Sequence, residues 1–379
     1  MNLLDRYIAR QYLTNIVVLL VILFCFVVTI DVSLNLAKYW KVAADITAAS
    51  GQGDTALRRI LVTVLGVIDL WWPRLLSLFN FMLGLVLVGA MGFTCAHMVR
   101  HRELVAILAS GQSLFRIARP ILIVALGMTF LQGLNQELVI PRIAPLLTRD
   151  QDDIGKRDLG STRIPPTVDG EGRVFYAATF DADRGILGDL SVWDRSKDDL
   201  LPIRRIHAES AEWRDGAWVL SGATSEPRSP GARPTAPPAR IVTDLDPTVL
   251  KIRRYAGYGG NLSWAQAREI LDRMAAAGLG TDQARRNHDQ VIRASFGRIS
   301  TMLSNLLTLC ITLTFFLART PGGMLAQALK CAPIGIVSLV GGVLGTSVAI
   351  PRIPPQMSVF IPAAILVPVA IAMVGRVRT

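Results

Sequence analysis

The chain has 379 residues, of which 51% are hydrophobic and only 18% are charged, and its mean hydropathy is +0.41. Soluble domains carry about 25% charged residues, so this composition argues against a soluble globular protein. The formal net charge is +11, and the sequence holds four cysteines without CxxC or Cys/His metal spacing. All four cysteines lie in or beside apolar runs, which argues against a disulfide scaffold and against a metal centre.

Six apolar runs, each long enough to cross a bilayer, occur along the chain in two groups of three. A spanning helix needs about 20 predominantly apolar residues. The first run is too long for a cleavable signal peptide and no small-residue cleavage site follows it, so we interpret it as a span. A shorter run, Ile60–Leu70, predicts an interfacial helix before the second span. The six predicted spans are Ile16–Ile30 (extending to about Leu36 past Asp31), Leu75–Met98, Ile121–Ile140, Ile299–Ala318, Cys331–Ile350 and Met357–Val374.

Basic residues at the ends of spans one and three form a first candidate site. Lys38 and Lys41 follow the first span, and Arg142 follows the third. Lysine and arginine pair strongly with phosphate, so these residues predict a lipid-phosphate site. Snorkelling to ordinary headgroups explains the two lysines equally well and is the favoured interpretation for Arg142. Asp31, near the end of the first run, is expected to face a lumen or water, because carboxylates inside a bilayer are costly.

A charged, amphipathic piece, Arg100–Gly111, lies between the second and third spans. A charged helix held between two spans has the form of a coupling helix, through which a soluble motor moves a permease. We predict such a helix over about 100–115, with Glu103 paired to a basic residue of the motor. Loss of either member of such a pair would leave the other charge unpaired and would weaken the contact. The alternative is an interfacial loop whose arginines only set the topology. The residues assigned to this coupling site are Arg102, Glu103, Leu104, Ile107, Leu108 and Gly111, the leucines and isoleucine being apolar anchors.

The segment 150–260 differs from the chain on either side of it. It is rich in Gly, Pro and Asp and contains short alternating runs such as Arg173–Ala177, Leu190–Trp193 and Ala217–Ser221. This alternation is typical of half-buried antiparallel strands, and about 110 residues suit a single β-sandwich or jelly roll. The Pro-rich stretch 225–239 predicts an exposed loop within this domain.

Helical periodicity over Leu262–Ala277, with Ser263 as the N-cap, predicts a helix that returns the chain to the membrane. The predicted fold class is therefore an α+β membrane protein with six transmembrane helices (3+3) and an inserted β-jelly-roll domain. The predicted domains are 1–149 with helices one to three and the coupling helix, 150–260 as the β domain, and 261–379 with the connecting helix and helices four to six.

Charge is divided unevenly between these parts. The segment 150–260 holds 16 of the 40 Lys/Arg and 18 of the 29 Asp/Glu, so the basic excess belongs to the membrane part. Basic residues beside spans favour lipid headgroups or phosphates as partners and argue against nucleic acid. Four groups of basic residues, at the two termini and in the loops after spans two and four, fall on one side when six spans are drawn. The positive-inside rule then predicts cytoplasmic termini and a β domain in the periplasm. Two clusters break the rule: Lys38/Lys41 with Arg58/Arg59, and Arg285/Arg286/Arg293/Arg298 before span four.

No catalytic constellation is visible in the sequence. The four histidines are scattered, and no Walker motif, HExxH or GxSxG occurs. We therefore predict a protein that is not an enzyme and that has no cofactor and no metal site. Any ATP hydrolysis must come from another chain.

A series of short motifs extends along nearly the whole chain. They are Leu4–Ile8, the Glu-Leu-x-x-x-x-Ala-Ser-Gly pattern of Glu103–Gly111, Asn135–Arg142, Ile206–Ala208 with Ala211–Trp213, Gly216–Leu220, Arg319–Gly323, and Ile353–Pro355 with Pro362. In order, spacing and topology they resemble the LptF/LptG (YjgP/YjgQ) lipopolysaccharide export permease family. The departures are Leu108, where members often carry a polar residue, and the atypical loop at 225–239.

The resemblance implies a permease subunit of an ABC-type exporter that extracts lipopolysaccharide from the inner (cytoplasmic) membrane of Gram-negative bacteria. It implies six spans and a periplasmic jelly roll that passes the lipid to a periplasmic bridge. The implied partners are an LptB-like ATPase dimer, a second LptF/LptG-like permease, LptC-like and LptA-like periplasmic jelly-roll proteins, and lipopolysaccharide itself. Both the F-like and the G-like paralogue fit the sequence.

Three other classes fit parts of the pattern. A mechanotransmission-type ABC permease moves a periplasmic domain without carrying lipid, but it usually has four spans, so a topology map separates it. A membrane-embedded enzyme of envelope metabolism requires an intramembrane acid, nucleophile or metal cluster, and the sequence offers none. An envelope-assembly scaffold would show no coupling to an ATPase.

Overall fold

The structure is a computed structural model, and its described residues form two compact units. One unit comprises residues 1–155 and 296–379, and the other comprises residues 156–295. The described residues are 3–49, 55–147, 149, 164–181, 184–195, 202–227, 236–247, 249–250, 262–277, 282–316 and 353–376, with a few positions between 333 and 341.

The first unit is helical, and the second holds a sheet with one further helix and the start of another. In chain order the helices are α1 Leu3–Ala49, α2 Ala56–Arg100, α3 Glu103–Ala109, α4 Leu114–Leu134, a π-helix Asn135–Val139, α5 Ile140–Leu147, α6 Trp264–Ala277, α7 Asp282–Phe316 and α8 Ile361–Arg376. A single helical turn, Pro355–Ser358, precedes α8. Residues 296–316 of α7 belong to the helical unit.

Five helical segments of the described chain are long and apolar enough to cross a membrane. They are Leu3–Ala48, Ala56–Arg100, Leu114–Ala144, His288–Phe316 and Pro355–Met373. They correspond to the first, second, third, fourth and sixth predicted spans. The fifth predicted span, Cys331–Ile350, lies almost entirely outside the described residues, so the count of six stays a prediction.

The helices α1 and α2 are much longer than a bilayer requires. They have 47 and 45 residues, which at 1.5 Å per residue makes each about 70 Å long, against roughly 30 Å for the hydrocarbon core. The predicted interfacial helix Ile60–Leu70 is not a separate element, because α2 continues without interruption through Pro73. Helix α1 bends once, at Asn35, whose φ of −112° and ψ of 17° are not helical.

The antiparallel pair α1 and α2 forms the centre of the helical core. Tyr12 donates its hydroxyl to the carbonyl of Leu87 at 3.0 Å, and Asn15 donates its amide to the Thr94 hydroxyl at 2.9 Å. Buried apolar side chains of α1, α2, α4 and α7 surround these contacts, among them Ile8, Ile16, Leu83, Met91, Ile117, Ile121, Leu309 and Leu313. We name the two ends of this bundle the Glu103 end and the Lys38 end.

The second unit contains a seven-stranded antiparallel sheet of order β1-β2-β3-β4-β5-β7, in which β6 pairs with β4 beside β5. The strands are β1 Ile164–Val168, β2 Val174–Asp181, β3 Ile186–Arg195, β4 Pro202–Arg214, β5 Ala217–Ser221, β6 Thr224–Pro227 and β7 Arg240–Val242. The three quoted strand patterns are confirmed as β2, β3 and β5. The loop predicted over 225–239 begins instead as the edge strand β6, and residues 228–235 lie outside the described part.

Trp218 is the largest fully buried side chain of the sheet unit. Its indole N–H donates to the carbonyl of Leu245 at 2.8 Å, and its ring packs edge-on against Trp213 with centroids 5.1 Å apart. An indole needs such a hydrogen-bond partner when it is buried. The largest side chain in the core of the sheet is therefore buried with its polar N–H group paired.

The predicted helix after the sheet is confirmed as α6. The Ser263 hydroxyl accepts from the backbone N–H of Gln266 at 3.1 Å, and the Gln266 side chain accepts from the N–H of Ser263 at 3.0 Å. This reciprocal pair is a capping box, which satisfies two backbone donors at the start of a helix.

We predict that Gly84→Ala destabilises the helical unit. A Cβ at Gly84 would lie 2.3 Å from the side-chain oxygen of Asn305 on α7, and Asn305 is itself buried. Overpacking of this kind costs about 1–3 kcal/mol. Thermal unfolding in detergent should show the loss, whereas Gly127→Ala on α4, where a Cβ meets nothing within 4 Å, should leave the midpoint unchanged. Equal midpoints for both variants would contradict the close packing of α2 on α7.

Candidate functional site

The predicted coupling segment folds as α3, a helix of two turns set between two sharp changes of backbone direction. Arg102, before α3, has a φ of +58°, and Gly111, after it, has a φ of +76°. Left-handed backbone favours glycine, which explains Gly111 as the residue that stops α3. The helix covers Glu103–Ala109 and is therefore shorter than the predicted 100–115. Residue 100 ends α2, and residues 101–102 and 110–113 form the turns that join α3 to α2 and α4.

Glu103 is held by a residue from the start of α1. The hydroxyl of Tyr7 donates to the two carboxylate oxygens of Glu103 at 3.0 and 3.3 Å. Tyr7 is 46% exposed, so the pair lies at the surface of the Glu103 end. Sequence reasoning missed Tyr7, because the two residues are 96 positions apart and only the antiparallel packing of α1 on α2 brings them together.

The apolar side chains of α3 are directed differently from the prediction. Leu104 is 5% exposed and belongs to the buried core of the helical unit, against which Ile107 also packs. Leu104 and Ile107 therefore anchor α3 to its own bundle. A helix of only two turns has no core of its own, so it buries its apolar face on the neighbouring spans. The outward face carries Val105, which is 55% exposed, and the side chain of Leu108 lies outside the described part. Arg102 is exposed.

The Lys38 end gathers several basic groups. Lys38 and Lys41 are exposed on α1 beyond its bend, and the guanidinium of Arg59 lies 5.4 Å from the centre of the Trp40 ring. This cation–π contact shows that the start of α2 reaches the same end as the two lysines. Arg142 is exposed on α5, and no contact of the described residues joins it to either lysine.

Asp31 is the centre of a hydrogen-bonded cluster at the bend of α1. Its carboxylate accepts from the Tyr39 hydroxyl at 2.7 Å, the Trp71 indole at 3.0 Å and the Asn35 amide at 2.9 Å. The sequence predicts a lumen-facing or water-exposed carboxylate, whereas the structure gives it three side-chain donors and partial burial. These bonds compensate the charge, and they tie the bend at Asn35 to α2.

A second charged cluster lies next to Asp31. Arg149 is 1% exposed at its side chain and donates to the carboxylate and to the carbonyl of Asp69, both at 3.1 Å. Arg74 donates to the carbonyl of Arg149 at 2.7 Å, and its guanidinium lies 5.8 Å from the Trp71 ring. The chain that leaves α5 is thereby fastened to α2.

Polar side chains also join α2 to the π-helix. Asn135 donates to the carbonyl of Leu76 and to the side chain of Asn80, both at 2.9 Å, and Gln132 donates to the carbonyl of Asn80 at 2.7 Å. Asn80 in turn donates to Gln136. Inside a bilayer, polar groups must find partners within the protein. These four side chains, on α2, α4 and the π-helix, bond one another and the α2 backbone, whereas the Gln132 side-chain oxygen has no hydrogen-bond partner among the described residues. We name the four side chains the amide belt.

Among the described residues, no three His, Cys, Asp or Glu side chains lie close enough to hold a metal ion. Apolar helices of membrane-spanning length, joined to an antiparallel sheet, define a membrane protein of the α+β class. The chain belongs to the lipopolysaccharide export system permease LptF/LptG family, whose model matches residues 56–376. Members of this family are transport permeases and not enzymes. No curated protein matches the chain.

We predict that Asp31→Ala destabilises the Lys38 end. The substitution removes the acceptor of three side-chain donors, and an unsatisfied buried donor costs about 1–3 kcal/mol. The free energy of unfolding in detergent should fall by about that amount. Asp45→Ala removes an exposed carboxylate of the same helix and should change it by less than about 0.5 kcal/mol. Equal losses in both variants would show that the cluster does not stabilise the bend.

Proposed function

We propose that this chain is one permease subunit of an ABC-type exporter that extracts lipopolysaccharide from the bacterial inner membrane and passes it to a periplasmic bridge. Family membership supports the substrate. The observation that carries the coupling is α3, which is short and charged and is fixed to the bundle by Leu104 and Tyr7.

The proposed architecture has six spans with both termini in the cytoplasm and a jelly roll in the periplasm. The domains are 1–149, 150–260 and 261–379, and the division between the compact units after residue 155 lies near the first boundary. The Glu103 end is then cytoplasmic, and the Lys38 end is periplasmic. The two long helices α1 and α2 would project beyond the bilayer on the periplasmic side.

Coupling would proceed through α3 as a rigid part of the bundle. An LptB-like ATPase dimer contacts Glu103 and Arg102 with a groove of its surface, and Leu108 adds an apolar contact. Because Leu104 and Ile107 are packed into the core, a displacement of α3 is transmitted to α1, α2 and α4. Gly111 allows the turn that returns the chain into α4.

The lipid would be held between this chain and a second LptF/LptG-like permease. Apolar side chains of the spans take the acyl chains, and Lys38, Lys41 and Arg142 take the phosphates. The exposure of the three basic residues supports this assignment. ATP-driven closure of the ATPase dimer would then expel the lipid toward the periplasm.

The sheet unit would hand the lipid to LptC-like and LptA-like jelly-roll proteins by edge-to-edge contact. Among the described residues, the path of paired strands ends at β1 and β7. A free strand edge presents backbone donors and acceptors to which another chain can add a strand. One of these ends is the proposed contact with the bridge.

We predict that Glu103→Arg abolishes co-purification of the ATPase subunit with the tagged full chain. Loss of one partner of a close charge pair costs about 2–5 kcal/mol, so recovery should fall at least about tenfold. Tyr7→Phe removes only the hydrogen bond that orients Glu103, worth about 0.5–1.5 kcal/mol, and should give a smaller loss. Asp45→Arg, at the opposite end of α1, should behave as the parent chain.

Three outcomes contradict the proposal in different ways. Unchanged recovery in Glu103→Arg would remove α3 as the coupling site. A parent chain that purifies without any ATPase would favour the envelope-assembly scaffold. Recovery of the ATPase without any glycolipid, from the parent chain, would favour a mechanotransmission permease.

We also predict that the double variant Lys38→Ala/Lys41→Ala recovers less lipopolysaccharide per mole of protein. Each lysine near an anionic surface contributes about 1 kcal/mol, so the loss should be roughly tenfold or more and should shrink at high salt. Quantification of co-purified glycolipid by mass spectrometry measures it. The exposed Arg268→Ala of α6 is the control, and equal recovery in both would assign the lysines to ordinary headgroups.

A further inference from the structure

Arg298 of α7 has a buried guanidinium that finds no hydrogen-bond acceptor among the described residues. Its side chain is 9% exposed, and its Nε and both Nη atoms are buried with no partner. The nearest carboxylate is that of Glu137 in the π-helix, with Oε2 4.0 Å from Nη1. At that distance the two groups form an ion pair, but they are too far apart for a hydrogen bond.

Burial of a charged group in this arrangement costs free energy in a membrane protein. Arginine is permanently charged and has five N–H donors in a rigid fork. Burial of such a group is tolerated when its donors are satisfied, and here Coulomb attraction to one carboxylate leaves the donors unused. Arg149, a buried arginine of the same unit, differs because both of its Nη atoms donate to Asp69, although its Nε has no hydrogen-bond acceptor among the described residues. The part of the chain that the structure describes thus offers Arg298 no hydrogen-bond acceptor, and an anion from another molecule could supply one.

Arg298 lies at the boundary of the apolar layer. It directly precedes the apolar run Ile299–Ala318, and Glu137 is three residues from the end of the run Ile121–Ile140. The neighbouring Asn135 bonds the carbonyl of Leu76, one residue inside the run Leu75–Met98. The sequence thus places Arg298, Glu137 and Leu76 at the ends of three predicted apolar runs, and we infer that this level lies near the phosphates of lipid headgroups.

Lys38 and Lys41 lie farther from the apolar layer than Arg298. The apolar run of α1 extends past Asp31 to about Leu36, so Lys38 and Lys41 are two and five residues beyond it, about 3 and 8 Å along a helix, whereas Arg298 adjoins its run directly. Tyr39 packs against Leu70 of α2. Leu70 lies six residues before Leu76 in the chain and therefore outside the apolar run Leu75–Met98. A phosphate that leaves the bilayer along this bundle passes the level of Arg298 first.

The position of Glu137 is set before any ligand arrives. The amide belt fixes Asn135 and Gln136 to α2, and the π-helix adds the extra residue per turn that carries Glu137 toward α7. Local π-helices of this kind are frequent at functional sites. Glu137 is thus a positioning residue that orients one side of the guanidinium and leaves the remaining donors for an anion.

We propose that Arg298 binds a phosphate group of the lipid substrate at the membrane boundary, as its first anionic contact before Lys38 and Lys41. The guanidinium fork matches two phosphate oxygens, which a lysine cannot do. The proposal rests on the proposed function as a lipopolysaccharide permease and adds a residue to its binding machinery. A carboxylate of a partner protein is the competing source of acceptors.

The test compares binding of bisphosphorylated lipid A with binding of the same lipid after removal of its phosphates. The full chain is purified in a phosphate-free maltoside detergent as the parent, Arg298→Gln, Arg298→Lys and Arg286→Gln. Arg286 is exposed on the same helix and controls for loss of one positive charge. Thermal unfolding without lipid confirms that each variant is folded, and Arg298→Lys keeps the test open should Arg298→Gln fail to fold.

We expect bisphosphorylated lipid A to bind Arg298→Gln at least tenfold more weakly than the parent, Arg298→Lys to be intermediate, and Arg286→Gln to equal the parent. The dephosphorylated lipid should bind all four chains with the same low affinity. Competition by millimolar inorganic phosphate would show that the site takes free phosphate, and would overturn the assignment to a lipid headgroup.

Other results separate this inference from the proposed function. Equal binding of bisphosphorylated lipid A to the parent, Arg298→Gln and Arg298→Lys, with loss in Lys38→Ala/Lys41→Ala, would overturn the role of Arg298 alone. Loss of a co-purifying protein from Arg298→Gln, with lipid binding intact, would assign Arg298 to a protein carboxylate and also overturn it. Absence of lipid A binding by the parent would overturn the proposed function itself.

Discussion

The antiparallel contact between α1 and α2 is the constraint on which the rest of the helical unit depends. At one end it brings Tyr7 to Glu103, and at the other it brings Asp31 to Trp71. A buried apolar core between these pairs sets the register of the two helices. A slip of one turn, about 5.4 Å, would separate both pairs at once. The same contact therefore determines how α3 is presented and how the bend of α1 is held.

The bilayer imposes a second condition, because it supplies no water to polar groups of the spans. The Asp31 cluster meets that condition with side chains of neighbouring helices, and the amide belt meets it except at the Gln132 side-chain oxygen. Arg298 does not meet it, since its three nitrogens find no acceptor in the part of the chain that the structure describes. It also stands at the level where the spans become polar, and a charged lipid headgroup would meet the need there. Stability and transport are thus linked at one residue in the proposed mechanism.

Several local features could be predicted because their causes are local. The spans at 16–30, 75–98 and 121–140 follow from apolar length, and strand β2 follows from alternation. The capping box at Ser263 follows from a serine and a glutamine three residues apart. The predictions were wrong where distant residues decide. Ile60–Leu70 is not a separate interfacial helix, because α2 continues through it; the burial of Leu104 in its own bundle also depends on distant residues, and its contact with a motor stays a prediction.

By itself the sequence determined that the chain is a membrane protein with an inserted antiparallel sheet, and its motifs pointed to the family that the comparison confirms. Hydropathy and alternation are properties of residues that are neighbours in the chain, so both can be recognised in the sequence alone. Only the tertiary structure decided that Tyr7 holds Glu103, that Asp31 is bonded by three side chains, and that Arg298 is buried without an acceptor. These facts depend on the register between helices far apart in the chain, and that register arises from the packing of their buried faces.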